Sequence, residues 1–278
     1  MRWILAVLLG LMAVACTAVA QPEQEPAADE QAAELDPTQA LLGRLEKRGR
    51  QLDAYQASVQ YTREQALLGD KQVRIGRVTY HAADAEADRP ARFAIHFTHA
   101  ISNDRLDEQP RSFVFDGTWL AEVDWKRRTF IRRQIVADGE RYDPLQLGKG
   151  PFPLPLGQHR EQVNRLFEPT LVEPTDADPE GTVHLRLTPR QFGEEGERLS
   201  EFARVDIWYD RQSLLPRQIV TRDNLDAEMA NITTVVLRKP VTGMLPADAD
   251  KSAFDTTPPA GGGWDVTVNA LKDADAQE

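Results

Sequence analysis

Apolar and polar residues alternate with a period of two through most of this sequence, and this pattern limits the possible folds more than any other feature. From Tyr55 to Tyr61 every second residue is aromatic or apolar, and the residues between them are glutamine or serine; similar stretches surround Ile95, Leu185 and Ile207. Because successive strand residues point to opposite faces, the pattern predicts strands with one buried and one wetted face. The connections are too short for the crossover helices of a parallel sheet, so the predicted fold class is mainly β, with a single antiparallel sheet.

Two glycines mark breaks in this sheet. Gly76 lies where the alternation between Val73 and Tyr80 changes phase, which predicts a β-bulge. Asp116-Gly117 lies between two apolar runs and predicts a tight hairpin. Strands are therefore expected to continue on both sides of each glycine.

Helical patterns occur at two places. Asp36-Pro37 is a helix-start signal, and Leu41 and Leu45 follow at helical spacing with charged residues opposite them. The proline-rich run 148–156 cannot form a central strand, and residues 158–167 have the pattern of a short helix. Both segments carry apolar residues that need an apolar surface to cover.

The start of the chain has the organisation of a secretory signal peptide. Arg2 gives a basic beginning, an apolar run follows from Ile4 to Val14, and Ala18-Val19-Ala20 has the small residues of a cleavage site. The apolar run is too short to span a bilayer. We therefore expect export, with a periplasmic location for the remaining chain.

The rest of the chain is expected to hold one folded domain. The predicted organisation is a signal peptide (1–20), a disordered acidic linker (21–36), a folded domain (37–268) and a disordered tail (269–278). Cys16 allows an alternative, because residues 13–16 resemble a lipobox whose cysteine becomes acylated. Ala13 departs from the leucine that usually begins this box, so soluble secretion is the preferred interpretation.

The sequence shows no catalytic or metal-binding constellation. His96 and His99 form an H-x-x-H motif, but on a regular strand this spacing points the two rings to opposite faces. The sequence has neither a serine-hydrolase elbow nor a phosphate-binding loop. Its net charge of −11 argues against nucleic-acid binding, which needs a basic surface. We therefore expect a protein that is not an enzyme and has no cofactor or metal.

Several short stretches resemble a known family when they are taken in order. They are Arg89-Pro90 followed by Phe93, residues 114–120 (VFDGTWL), residues 205–210 (VDIWYD) continuing to 215–218 (LPRQ), and Phe254 with 257–259 (TPP) and 263–266 (GWDV). Together with a leader and a first amphipathic helix, this order resembles the LolA family of outer-membrane lipoprotein carriers. The resemblance covers roughly residues 37–268.

The resemblance implies a sheet curled into a half-open barrel, with a lid of α-helices over an apolar concave face that accepts acyl chains. In this family the arginine matched by Arg89 holds the lid through backbone carbonyls, and the aromatic residue matched by Phe93 lies at the cavity mouth. The candidate cavity residues, chosen as inward-facing by alternation, are Leu41, Leu45, Val59, Tyr61, Phe93, Ile95, Phe97, Phe113, Phe115 and Trp119.

The resemblance further implies a monomeric periplasmic carrier of acylated cargo, either lipoproteins or other lipids, that works between membrane donor and acceptor proteins. A first alternative is an envelope protein-interaction or regulatory module on the same fold, which a fully packed core without a cavity would favour. A second is a membrane-tethered lipoprotein acceptor, if Cys16 is acylated. A third is an envelope enzyme, which would need converging carboxylates or histidines in a cleft.

Overall fold

The computed structural model describes residues 36–271, except 85, 87, 103–104, 138–139, 141–154, 157, 191–201, 227 and 244–252. The predicted signal peptide with Cys16, the predicted linker as far as residue 35, and the tail beyond residue 271 lie outside the described residues. Most of the proline-rich run 148–156 also lies outside them. None of the helices in the described part is long and apolar enough to cross a membrane.

The described residues form two α-helices, one short 3-10 turn and twelve strands. The helices are α1 (Pro37–Arg50) and α2 (Arg160–Leu166), and the 3-10 turn covers Ala66–Leu68. The strands are β1 (Ala54–Gln65), β2 (Asp70–His81), β3 (Arg92–Ser102), β4 (Arg105–Phe115), β5 (Trp119–Asp124), β6 (Thr129–Gln134), β7 (Phe167–Val172), β8 (Thr182–Pro189), β9 (Arg204–Asp210), β10 (Pro216–Arg222), β11 (Asn231–Thr242) and β12 (Asp265–Asn269).

All twelve strands belong to one sheet with the order β12-β6-β5-β4-β3-β2-β1-β11-β10-β9-β8-β7. The sheet is not closed into a barrel, since β12 and β7 form its two edges. This confirms the predicted fold class of a mainly β, half-open sheet. One pair departs from the predicted antiparallel pattern, because β12 runs parallel to β6. β12 follows β11 in the chain but lies beside β6, on the far side of β1 to β5, so it forms no hairpin with the strand before it.

The main hydrophobic core lies between the two helices and one face of the sheet, called here the inner face. Leu41 and Leu45 of α1 and Val163 and Leu166 of α2 are buried in it together with residues of both halves of the sheet. Burial of one such side chain stabilises the fold by about 2 kcal/mol. The helices therefore cover the inner face, as the sequence predicted.

Polar contacts hold α1 in place at both ends. The Asp36 side chain caps the helix by accepting a hydrogen bond from the Thr38 N–H, at 3.4 Å. Gln39 and Asn164 exchange two side-chain hydrogen bonds of 3.0 and 2.9 Å, which join α1 to α2. At the other end, Arg48 Nε donates to the Ser213 carbonyl at 3.1 Å.

The opposite, outer face carries two smaller hydrophobic clusters. Phe254 packs with Ala94 and Val114, and Trp264 packs against a cluster that includes Ala121 and Phe130. Ala94 and Ala121 are fully buried, so their small side chains let the segment that precedes β12 approach the sheet closely. This segment crosses the outer face towards the edge at β6.

The sheet is irregular at Gly76, but the extra residue lies in β3 and not in β2 as predicted. Gly76 pairs with Phe97 and Ile75 with His99, so Thr98 is bulged, while β2 stays in regular register with β1. A Cβ atom at Gly76 would lie 2.1 Å from the His96 carbonyl oxygen and 2.7 Å from the Phe97 Cα. Only glycine fits here, because both neighbouring atoms belong to the backbone of β3. The bulge therefore fixes how closely β3 approaches β2 beside Phe97.

The predicted hairpin at Asp116-Gly117 is also present, between β4 and β5. The Asp116 carboxylate accepts hydrogen bonds from the backbone N–H groups of Thr118 and Trp119, at 2.9 and 2.8 Å. Gly117 has a φ of +113°, and a Cβ atom there would lie 2.1 Å from Pro90 Cγ. The loop of Arg89-Pro90 thus packs directly on this turn.

Replacing Gly117 with alanine is expected to lower the free energy of unfolding by about 2 kcal/mol, because backbone strain adds to the overlap with Pro90. Gly181→Ala is the matched control, since Gly181 also has a positive φ but its Cβ position has no neighbour within 4 Å. The control should lose about 1 kcal/mol through strain alone. Urea titration of both variants measures the difference, and equal losses would contradict a role for the Pro90 contact.

Candidate ligand cleft

Most of the predicted cavity residues are packed against one another in the main core. Those that are buried are Leu41, Leu45, Val59, Phe93, Ile95, Phe97 and Phe115. Tyr61 and Phe113 are half-buried at the margin of the same cluster. A space of about 10 Å³ beside the C-terminal half of α1 is lined in part by Leu45 and Tyr209. The inner face under the helices is therefore filled by its own side chains.

Phe93 does not lie at an opening, as the resemblance implied. Its side chain is completely buried, and its ring centroid lies 5.9 Å from that of Phe115. The reason is its place in the sheet, since Phe93 is paired with Tyr80 on one side and Phe115 on the other. Phe93 is a core residue.

The prediction that Trp119 lines the inner face is wrong. Phe115 pairs with Leu120 across the hairpin, so Leu120 shares the inner face and Trp119 points to the outer one. There the Arg132 guanidinium lies 4.3 Å from the centre of the Trp119 ring. Alternation within β5 did not reveal this, because the register across the turn decides which residues share a face.

Arg89 contacts Asp84 within the loop between β2 and β3. Their backbones exchange two hydrogen bonds of 2.8 Å, and Arg89 Nη2 lies 3.7 Å from Asp84 Oδ2. These contacts shape the loop that carries Pro90. Control of the helical lid by Arg89 stays a prediction.

An open cleft of about 260 Å³ lies at the end of the inner face where β1 and β3 end and β2 and β4 begin. Its lining residues are Tyr61, Arg63, Gln72, Arg74, Phe97, Arg111 and Phe113. We call this space, defined by those residues, the aromatic-basic cleft. Strand pairing assembles it, because Tyr61 lies opposite Arg74 and Phe97 lies opposite Arg111.

Three aromatic rings form the floor of the aromatic-basic cleft. The Tyr61 and Phe97 centroids are 6.0 Å apart with ring planes at 60°, and Phe97 meets Phe113 edge-on at 6.4 Å and 82°. Tilted and edge-on pairs are favourable arrangements for aromatic rings. The floor therefore presents a fixed apolar surface.

The rim of the cleft is basic. Arg111 forms an ion pair with Glu122, and its guanidinium lies 5.3 Å from the centre of the Phe113 ring. Arg74 makes no ion pair with any residue that the structure describes. Burial, together with the like charge of Arg111, lowers the pKa of the Arg74 guanidinium. The rim thus holds two neighbouring positive charges, and among the described residues only that of Arg111 has an ion-pair partner.

A second pocket of about 220 Å³ adjoins the aromatic-basic cleft and shares Arg74 and Arg111 with it. Its other lining residues are Gln109, Pro110, Asp124, Lys126 and Arg127. Positive charges therefore outnumber negative ones along both spaces, although the chain as a whole carries −11.

The two histidines of the H-x-x-H motif lie on the same face, and the prediction of opposite faces is wrong. Register shifts around Phe97 place His96 opposite Arg77 and His99 opposite Ile75, two residues apart on β2. His96 bonds with the Ser112 hydroxyl at 2.9 Å and the Ala253 carbonyl at 3.2 Å. Within the part of the chain that the structure describes, no group of three or more histidine, cysteine, aspartate or glutamate side chains could hold a metal ion.

Sequence reasoning missed Arg63, Arg74 and Arg111. Alternation alone could have placed Arg74 on the inner face, because it lies two and four residues before Gly76 and Val78, which belong to that face. Charged residues near strand ends are ordinarily solvated, so the pattern did not distinguish a basic cleft from an exposed edge.

No family model and no curated protein sequence matches this chain. Among solved structures, an uncharacterized conserved protein from Thermus thermophilus is 14% identical, with a TM-score of 0.44 over 84% of this chain and 100% of that chain. A chain of the Pseudomonas aeruginosa MucA/MucB complex is 16% identical, with a TM-score of 0.44 over 77% of this chain and 60% of that one. A LolA superfamily protein from Nitrosomonas europaea is 12% identical, with a TM-score of 0.32 over 76% and 96% of the two chains. At these identities the likeness is one of fold alone.

Proposed function

We propose that this protein is a periplasmic binder and carrier of acylated cargo, lipoproteins or other lipids, and that the cargo enters at the aromatic-basic cleft. The observation that carries the proposal is the floor of Tyr61, Phe97 and Phe113, where Tyr61 and Phe113 are only half-buried and border an open cleft while most of the inner face is packed. An acyl chain needs an apolar surface shielded from water and no reacting group. The proposed activity is therefore binding and not catalysis.

The size of the cleft bears on how much of an acyl chain it holds. Pockets that enclose a whole drug-sized ligand measure about 300–1,000 Å³, and this cleft measures about 260 Å³. It therefore takes the first part of a chain, and deeper entry requires α1 to move. Exposing the three buried leucines of α1 costs about 6 kcal/mol, and burying about eight methylene groups offsets that cost. A long acyl chain therefore gains enough to displace the helix.

Truncation of the cleft floor tests this proposal. Phe113→Ala is expected to weaken binding of a triacylated lipopeptide about tenfold, because it removes an apolar contact of roughly 1.4 kcal/mol. Leu106→Ala is the matched control, since Leu106 lies on the same strand but is 59% exposed outside the cleft. Isothermal titration and native mass spectrometry, with the same peptide lacking acyl chains as a reference, measure both variants. Equal binding of acylated and unacylated peptide would contradict the proposal.

A second candidate function is an envelope protein-interaction module. The packed inner face favours it, since most of the candidate cavity residues are buried against one another in the main core. Among the residues that the structure describes, β7 and β12 pair with a strand on one side only, so their other sides offer backbone groups to a partner strand. This alternative predicts a stable protein complex and no lipopeptide uptake in the experiment above.

A further inference from the structure

Positive charge is concentrated at one end of the inner face of an acidic protein. The chain carries −11 overall, yet the aromatic-basic cleft has three arginines and no carboxylate among its lining residues. The adjoining pocket adds Lys126 and Arg127 and one carboxylate, Asp124. A cleft with walls of low dielectric focuses such a field, so anions are attracted to this end of the sheet.

Arg74 and Arg111 stand at the boundary between the two spaces, since both residues line both of them. The Arg111 charge is partly balanced by Glu122, whose other oxygen lies 3.9 Å from Arg133 Nη1. The Arg74 charge has no ion-pair partner among the residues that the structure describes. Two like charges held together at a half-buried position destabilise each other, and an anion placed between them removes that repulsion.

The charged rim lies directly beside the apolar floor at Phe113. The Arg111 guanidinium lies 5.3 Å from the centre of the Phe113 ring, so a ligand that rests on this ring is within reach of the charge. Guanidinium groups bind phosphate and carboxylate oxygens through paired N–H donors with matching geometry. The arrangement fits a ligand with an apolar tail and an anionic head joined directly to it.

We propose that the aromatic-basic cleft selects anionic amphiphiles, with a phosphate or carboxylate head between Arg74 and Arg111 and the apolar tail on Tyr61, Phe97 and Phe113. This inference rests on the proposed function, because it assigns the head group of the acyl-bearing ligand that the same cleft takes. The adjoining pocket gives room for the rest of the head group, with Lys126 and Arg127 at its border.

Two detergents with the same tail separate the head group from the tail. Binding of dodecyl phosphate and of dodecyl maltoside, each below its critical micelle concentration, is measured on the purified protein by isothermal titration, with inorganic phosphate as a third probe. We expect dodecyl phosphate to bind at least tenfold more tightly than dodecyl maltoside, and its affinity to fall with added salt. Inorganic phosphate alone should bind at least a hundredfold more weakly, because it lacks the tail.

Substitutions identify the site. Arg74→Gln and Arg111→Gln should each weaken dodecyl phosphate binding about tenfold and leave dodecyl maltoside unchanged, as expected for loss of a charge-assisted hydrogen bond. Arg77→Gln is the matched control, since Arg77 lies on the same strand as Arg74 but opposite Ser58 and His96, on the outer face. Thermal unfolding verifies that the variants are folded. Phe113→Ala should weaken binding of both detergents.

The outcomes separate this inference from the proposed function. If the two detergents bound with equal affinity and Phe113→Ala weakened the binding of both, the proposed selection of anions would be wrong, but acyl binding at the cleft would still be supported. If inorganic phosphate bound as tightly as dodecyl phosphate, the cleft would be a site for the anion alone, and the proposal that it selects amphiphiles would be wrong. If neither detergent bound, the proposed function would fail together with this inference. An equal loss of dodecyl phosphate binding in Arg77→Gln would show nonspecific attraction to charge and also overturn the site.

Discussion

Phe93→Ala is expected to lower the free energy of unfolding by about 4 kcal/mol, the usual cost of removing a fully buried phenylalanine ring. Phe93 has no exposed surface, and it lies between Tyr80 and Phe115 in the row of paired residues that crosses the inner face. Because the surrounding strands are paired on both sides, they cannot collapse into the space left by the ring. The loss in stability therefore includes both the transfer free energy of the buried ring and the cost of the cavity that remains.

Phe113→Ala provides the comparison in the next row of the inner face, where Phe113 pairs with Ile95. Phe113 is half-buried and borders the aromatic-basic cleft, so its removal enlarges an existing opening and should cost only about 1 kcal/mol. Urea denaturation of both variants gives the two values. If Phe93→Ala also cost only about 1 kcal/mol, Phe93 would border open space, and the packed inner face described here would be incorrect.

Asp206→Ala is expected to cost about 3 kcal/mol, because it leaves two arginines and a buried histidine without their shared partner. His184 Nε2 lies 2.9 Å and Arg186 Nε 2.8 Å from Asp206 Oδ1, and Arg204 Nε lies 2.9 Å from Oδ2. The carboxylate is 5% exposed, whereas Arg186 and Arg204 are about one-third exposed, which places the loss at the lower end of the range for buried ion pairs. The exposed Arg105–Asp107 pair is the control, and Asp107→Ala should cost less than about 0.5 kcal/mol.

The Asp206 cluster also predicts a dependence of stability on pH. Burial by itself would raise the pKa of the Asp206 carboxyl, but hydrogen bonds from His184 and Arg186 and the charge of Arg204 hold it below its usual range. As the pH falls through about 4, the ordinary value for aspartate, the unfolded chain takes up a proton before the folded one does. The stabilisation is therefore complete at neutral pH and is lost in acid. Urea titrations between pH 7 and pH 3 should show the difference between wild type and Asp206→Ala shrinking, and a constant difference would contradict this assignment.

The sequence predicted the architecture well where a local pattern determines it. Alternation located the strands, and the aspartate and proline before Leu41 located the start of α1. Glycine marked the place where β3 approaches Gly76 closely and the turn at Gly117, because close approach of the chain and a positive φ exclude other residues there. The bulge itself lies across from Gly76, at Thr98 of β3. Each of these features depends on a few neighbouring residues.

Sequence reasoning failed where the faces of the sheet depend on register. Trp119 and Leu120 exchange faces relative to the prediction, since the length of the turn decides which of them pairs with Phe115. His99 comes to the face of His96 because of the irregularity beside Phe97. A single extra residue in one strand reverses every assignment beyond it, and no pattern in one strand reports its partner's register.

The candidate site shows a further limit of sequence reasoning. Alternation correctly grouped Tyr61, Phe97 and Phe113 on one face, but it could not show that helices fill most of that face and leave one end open. Nor did it single out Arg74 and Arg111, whose neighbours come from other strands. Packing and the convergence of charges are properties of the assembled sheet.

Photo-crosslinking with a dodecanoic acid that carries a diazirine on its chain tests most directly where an acyl chain binds. We expect mass spectrometry to find displaceable adducts on peptides that contain Tyr61, Phe97 and Phe113, and these adducts should disappear with excess dodecyl phosphate. Crosslinks confined to other parts of the sheet, or crosslinks that excess ligand does not displace, would contradict the proposal that the aromatic-basic cleft receives acylated cargo.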